Sequence, residues 1–440
     1  MQSLATSGQT LTARLLRGAG VSALGFGGAQ ILRFGSNLVL ARLLFPEAFG
    51  LMALVTVLLV GVVMMSDAGI GQSVRQSPRG DDPVFLDTAF TMQVLRGMVL
   101  WAVIALLALP AAQFYRAPEL ALMLPVAGST LLLASLEPMR AELAYRHLAI
   151  ARVTVIDLVA QAAGVVTMIA LAWATGSVWS LVAGMIAASA SRTALLWLLL
   201  PGRSERLRWE GRAARELFRF GIWIFLSSAF GFLLSQGDKA IFGRFLAQGD
   251  LGIYNIAFFL ASAPMLLASA MTGSLLLPAY RIAAEEGPSG VARLHRLRFR
   301  LTGVVMAALA LLALIGPWLI DLLYDHRYAA AGPILVWIAL MQMWPLIGLT
   351  YDQAALAAGD SRSFFWVMAL RALVQTAFFL TGLMLGGLQG ALIGQALAAL
   401  AVHPAIIWLA RRHGVWDPRH DLCAAALAAI FALAYVLMLG

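Results

Sequence analysis

Four arginines, Arg33, Arg96, Arg192 and Arg371, each interrupt a stretch that is otherwise apolar enough to cross a bilayer. A guanidinium in that setting is costly, so it faces protein, water or a substrate path. Its planar fork stays protonated and makes paired, charge-assisted hydrogen bonds, so these positions suit an anionic substrate. Polar neighbours fall on the same helix faces. Gln30, Arg33 and Asn37 are spaced i, i+3, i+7, while Gln93 accompanies Arg96, Thr154 accompanies Asp157 and Gln161, and Arg371 accompanies Gln375. Gln and Asn add neutral donors and acceptors beside the charge. The candidate substrate-binding residues are therefore Arg33, Asn37, Gln30, Arg96, Arg371 and Gln375.

Each position has a structural alternative. Arg192 lies close to the polar turn at Pro201 and reads better as a side chain snorkelling to the surface. Arg96 and Arg371 either face the substrate or bond a buried Asp or a broken-helix carbonyl. Asp157 and Asp67 are the candidate sites for coupling to H⁺ or Na⁺. Asp67 reads better as a tie to Arg75, and Asp157 equally well as the partner of an arginine in its own lobe. Asp238 and Lys239, adjacent at a helix end, read as interfacial. No metal or organic cofactor is expected, because Cys423 is the single cysteine and His413 and His420 lack metal-ligand spacing. There is no P-loop, nucleophile elbow or pair of catalytic carboxylates, so nothing supports an enzyme.

The elements that must position these side chains are membrane helices. Hydrophobic residues are 61% of the 440 and charged residues 12%, more apolar surface than a soluble core can hide. Thirteen apolar segments run along the chain, at 18–41, 48–66, 84–110, 118–136, 153–173, 177–200, 218–236, 250–278, 301–324, 329–352, 363–385, 388–409 and 421–440. Lipid leaves no partner for an open strand edge, so the expected fold class is all-α and polytopic. Arg and Lys crowd alternate connections, around Arg75–Arg79, Arg140–Arg152, Arg203–Arg219, Arg281–Arg300 and Arg411–Arg419. The opposite connections hold only Arg42, Arg116, Lys239, Arg244 and Arg327. This asymmetry places the N-terminus and the basic connections in the cytoplasm, and it accounts for the net charge of +9 without nucleic acid.

The expected organisation is an N-terminal lobe of six helices over 1–200, a basic connector at 201–217, a second lobe of six over 218–409, and a loop with an extra helix over 410–440. Gly35–Leu51 aligns without a gap to Gly237–Ile253, matching Gly35 with Gly237, Arg42 with Arg244, Leu44 with Leu246 and Gly50 with Gly252. Weak repeats at equivalent places in two halves are a mark of duplicated transporters. Gly382, Gly386, Gly390 and Gly394 recur across a tight hairpin and read as close helix packing.

The runs ARLLFPEAFGLMALV and SDAGIGQSVRQ, and GDKAIFGRFLAQGDLGIYNIA in the second half, resemble Wzx-type polysaccharide flippases. These belong to the larger multidrug, oligosaccharidyl-lipid and polysaccharide exporter superfamily. The resemblance implies two six-helix lobes around a central cavity, and alternating access. It further implies an undecaprenyl-diphosphate-linked oligosaccharide carried to the outer leaflet of the bacterial cytoplasmic (inner) membrane. Polysaccharide polymerase and glycosyltransferases would be its partners besides the bilayer. A multidrug antiporter, and less so a lipid II flippase, are the alternatives; a cationic drug would call for acids where the first helix offers Arg33.

Overall fold

The computed structural model describes residues 11–66, 69–147 and 149–439. Among them all regular structure is helical: α1 Leu11–Leu43, α2 Pro46–Met64, α3 Ile70–Gln76, α4 Pro83–Tyr115, α5 Leu120–Ser135, α6 Arg140–Arg146, α7 Ile150–Thr175, α8 Trp179–Leu199, α9 Gly211–Phe245, α10 Gln248–Ala261, α11 Ala263–Met271, α12 Leu277–Glu286, α13 Pro288–Leu323, α14 Ala331–Leu349, α15 Asp352–Ala357, α16 Ser361–Arg412 and α17 Pro418–Leu439. All thirteen apolar segments fall on helix. One is not a single rod: the segment 250–278 is divided into α10, α11 and a π-helical turn at Thr272–Leu276 before α12. Proline explains the starts. Pro46, Pro83 and Pro288 open α2, α4 and α13, where a missing N–H costs nothing. By length and composition, eight of the described helical stretches can cross a membrane, and α5 with α6, bent by 61°, makes a ninth. Exposed Leu24, Leu106, Trp173, Leu198, Val304 and Leu314 form the apolar exterior that acyl chains require.

Packing divides the chain into Met1–Ala229 and Phe230–Gly440, a boundary inside α9 rather than at the basic connector. In the first unit, residues 200–210 are a strap. Arg203 pairs with the buried Asp87 at 2.8 Å, and the Arg206 N–H donates to the same carboxylate at 3.0 Å. Arg140 donates to the Leu200 carbonyl at 2.7 Å, and the Glu210 N–H to Thr88 Oγ1 at 3.2 Å. Beneath this strap Ile70, Val74, Phe85, Ala89, Met139, Ala213 and Leu217 form a buried cluster, so the starts of α4 and α9 share one core. The motif SDAGIGQSVRQ builds part of it. Arg146 of α6 donates to the Val74, Arg75 and Ser77 carbonyls at 3.2, 3.0 and 2.8 Å, closing the end of α3, while Arg75 pairs with Glu142.

The duplication has a structural counterpart in each unit. α1 ends at Leu43 and α2 starts at Pro46; α9 ends at Phe245 and α10 starts at Gln248, the same places in the aligned segments. Leu44 N donates to Leu40 O at 2.8 Å, and Leu246 N donates to Phe242 O at 2.8 Å. In the second unit α16 is two arms, because Gly386 (φ −143°, ψ 24°) and Gly387 (φ 59°, ψ −144°) leave helical geometry. Gly387 occupies a region that side chains rarely enter. The arms then close on glycine: a Cβ added at Gly382 would collide with the Gly390 carbonyl, and one at Gly394 with the Phe378 carbonyl.

Candidate functional site

The α1 stripe is the part of the sequence-derived site with an accessible cation. Arg33 is exposed, and Gln30 and Asn37 are half-buried. α1 contains no acidic residue among Leu11–Leu43. Its seam with α7 runs along a neighbouring face: Gly28 abuts Leu158, Gly25 abuts Thr154, and Gln161 Nε2 donates to Ala29 O at 2.9 Å. The α7 stripe of Thr154, Asp157 and Gln161 thus faces, or borders, the helix that carries Arg33.

Asp157 lies between those seam residues and binds Arg192 of α8, Oδ1 to Nε at 2.8 Å. Arg192 also pairs with Glu137, just beyond the end of α5. Arg192 does not snorkel; it bridges two carboxylates from two other segments of its lobe. Sequence reasoning overlooked Glu137 because it falls in a connection rather than in a span. One cation facing two carboxylates leaves an excess negative charge when both are ionised, the electrostatics of a site for a proton or small cation. Asp67 lies outside the described residues, and its suggested partner Arg75 bonds Glu142.

Arg96 and Gln93 close helix ends. Arg96 Nε donates to Ser66 O at 2.9 Å and its Nη2 to Val63 O at 3.2 Å, just where α2 stops. Gln93 Nε2 donates to the Ser135 and Glu137 carbonyls, both at 3.0 Å. Carbonyls at a helix end lack intrahelical donors, so this stripe satisfies the two breaks that flank α4. Arg371 is held by Asp352, Nη1 to Oδ2 at 3.3 Å, each side chain 18% exposed. Beside it a cavity of about 10 Å³, lined by Trp344, Pro345, Gly348 and His403 among others, has room for one water and not for a diphosphate. Gln375 is half-buried one turn on. Arg96 is thus bonded to broken-helix carbonyls and Arg371 to a half-buried Asp, each within its own unit. Asp238 accepts from Tyr254 at 2.7 Å, and Lys239 Nζ lies 4.2 Å from the Phe258 ring centre, so both are engaged within the α9–α10 corner.

Among the described residues, the most enclosed cation was not one of the expected four. Arg298 of α13 is 0% exposed. It stacks 3.5 Å over the Tyr351 ring, donates to Val415 O at 3.1 Å and meets His420 Nδ1 at 3.2 Å. Around it Asp421 accepts from Tyr351 at 2.8 Å and from Trp416 Nε1 at 3.0 Å, and contacts His403 at 3.2 Å and His420 at 2.9 Å. Thr302 and Asp417 complete the network, which locks α13, α16 and α17 to the turn before α15.

A family model described as "Polysaccharide biosynthesis protein" matches residues 39–333. The chain belongs to that family. Curated relatives resemble it over most of its length. The succinoglycan biosynthesis transport protein ExoT of Rhizobium meliloti is 24% identical over 86% of this chain and 76% of its own. The lipopolysaccharide biosynthesis protein WzxC of Escherichia coli is 21% identical over 83% and 73%. Among solved structures, the lipid II flippase MurJ in an inward closed conformation covers 94% of the chain and 92% of its own with a TM-score of 0.67 at 10% identity. An inward-facing multidrug transporter of the MATE family covers 87% and 94% with a TM-score of 0.64 at 16% identity. This family member therefore has the fold of multi-pass membrane transporters.

Proposed function

We propose that the chain is a flippase for a polyprenyl-diphosphate-linked oligosaccharide, moving it by alternating access from the inner to the outer leaflet of the bacterial cytoplasmic membrane. In this reading the N-terminus and the basic connections are cytoplasmic, as the distribution of arginine favours. The observation that carries the reading is the α1 stripe in a family of polysaccharide biosynthesis proteins: an exposed Arg33 flanked by Gln30 and Asn37, on a helix without an acid. Arg33 takes the diphosphate, Gln30 and Asn37 take sugar hydroxyls, and the prenyl chain stays in lipid. Arg96 and Arg371 hold helix geometry, each within its own unit. Asp157 and Glu137 share Arg192 and are the proposed place for H⁺ or Na⁺, linked to α1 through the α7 seam.

The test is complementation in a strain lacking its own flippase for a surface polysaccharide. Arg33→Ala, at normal membrane levels, should lower surface polysaccharide at least tenfold, and Arg33→Lys should recover part of it. Full activity of Arg33→Ala would remove the α1 site. For coupling, Asp157→Asn/Glu137→Gln should make flipping in vesicles indifferent to an imposed proton or sodium gradient. A wild-type rate that already ignores both gradients would end the coupling proposal.

A further inference from the structure

The arm of α16 after Gly387 carries an exposed stripe. Ile393, Leu397, Leu400, Pro404 and Trp408 recur at helical spacing, and all are exposed. On a membrane span such a stripe meets acyl chains. It ends on Arg411 and Arg412, both exposed, at the arginine-rich end of the helix. Pro404 withdraws the N–H that would bond Leu400 and pushes that carbonyl aside, which bends a helix. Beside it lies a groove of about 540 Å³ lined by Pro404, Ile407, Trp408, Arg411 and Arg412. Sites for small ligands run from about 300 to 1,000 Å³.

The two guanidiniums are held in place. Arg411 stacks 3.9 Å over Trp416, and Arg412 lies 5.6 Å from the Trp408 ring with Nε 3.3 Å from Asp360. Asp360 also caps the start of α16 through Ser363 N at 3.1 Å. One carboxylate against two arginines leaves the mouth of the groove cationic. Trp408, 51% exposed, sits where amphipathic rings mark the membrane–water interface.

We propose that this groove binds an anionic glycerophospholipid, its phosphate between Arg411 and Arg412 and one acyl chain along Trp408, Pro404 and Leu400. Charge and apolar complementarity together select this occupant. A soluble anion would leave the apolar stripe unused, and a zwitterionic lipid would leave one arginine uncompensated. The proposal stands apart from the transported substrate and from which face of the membrane is cytoplasmic.

The experiment is native mass spectrometry of the full-length protein released from detergent with dioleoyl phosphatidylglycerol or dioleoyl phosphatidylcholine. With one carboxylate against the two arginines, the net charge at the headgroup plane predicts a preference for phosphatidylglycerol of roughly fivefold. R411Q/R412Q should abolish that preference, R411K/R412K should keep most of it, and R293Q/R296Q, on exposed α13 positions, should leave it intact. Melting temperature separates a lost lipid from a damaged fold, and the lysine pair retains the charge if the glutamine pair unfolds. Equal retention of both lipids by the wild type would overturn the proposal, as would unchanged preference in R411Q/R412Q. A tight adduct with farnesyl diphosphate and none with phosphatidylglycerol would overturn it in favour of an isoprenyl diphosphate.

Discussion

Replacing Arg298 by Met should be among the most damaging single changes in the second unit. The side chain keeps an unbranched apolar stem and loses its guanidinium. With it go a charge-assisted bond to Val415 O and the stacking over Tyr351, while Asp421 and Asp417 stay enclosed with less compensation. A hydrogen bond to a charged group contributes about 1.5–3 kcal/mol and a desolvated cation–π contact about 2 kcal/mol. Their sum agrees with the about 3–5 kcal/mol lost when one partner of a buried ionic network is removed. For a unit of this size that corresponds to a fall in melting temperature of roughly 10 °C. The assay is thermal unfolding in detergent, followed by fluorescence-detected size exclusion. Arg300→Met, two residues on and exposed, is the control and should stay within roughly 0.5 kcal/mol of wild type. An Arg298→Met protein that melts with the Arg300→Met control would refute the assignment of Arg298 as the keystone of the network.

Three further outcomes follow from the geometry. Arg371→Ala and Asp352→Ala should each destabilise by about 2–4 kcal/mol, and the double variant by clearly less than their sum; additivity in thermal melts would show that the pair does not form. Gly382→Ala should cost about 1–3 kcal/mol because its Cβ meets the Gly390 carbonyl, whereas Gly386→Ala meets nothing and should be nearly neutral; equal melting temperatures would contradict the close hairpin. The Arg79 guanidinium and the Val84 N–H hold the Asp82 carboxyl below the usual carboxylate range. Its contribution is complete above the unfolded value of about 3.9 and is lost as pH falls through the lower folded value. Asp82→Ala should therefore cost about 1 kcal/mol near neutral pH, with the gap to wild type narrowing in acid; a gap that is constant with pH would refute the ionic part.

The all-helical class, the places of the apolar segments and the aligned corners were legible in the sequence, because apolar length, proline and glycine act locally. The roles of the arginines were less so. Arg192 reads as a snorkelling side chain when only the distance to Pro201 is considered; its fixing partner Glu137 is 55 residues away and lies in a connection. Arg298 hides in the run RLHRLRFR, which resembles a solvated basic surface. A signal was present: Arg298 is four residues after Leu294, three before Leu301 and seven before Val305, all buried on the same stripe of α13. Arg96 and Arg371 illustrate the general difficulty. Polarity within a span announces a partner, but whether that partner is a carbonyl, an Asp or a substrate depends on residues brought together only by folding.

The central claim is tested most directly by reconstituting the purified protein in proteoliposomes that contain an undecaprenyl-diphosphate-linked oligosaccharide, and reading the rate at which the glycan reaches a membrane-impermeant glycosidase. Rapid exposure of the glycan across the bilayer is expected for the wild type and, for Arg33→Ala, a rate roughly 10–100-fold lower, the loss of one charge-assisted contact. A wild-type rate equal to that of protein-free liposomes, with transport of a cationic dye instead, would contradict it.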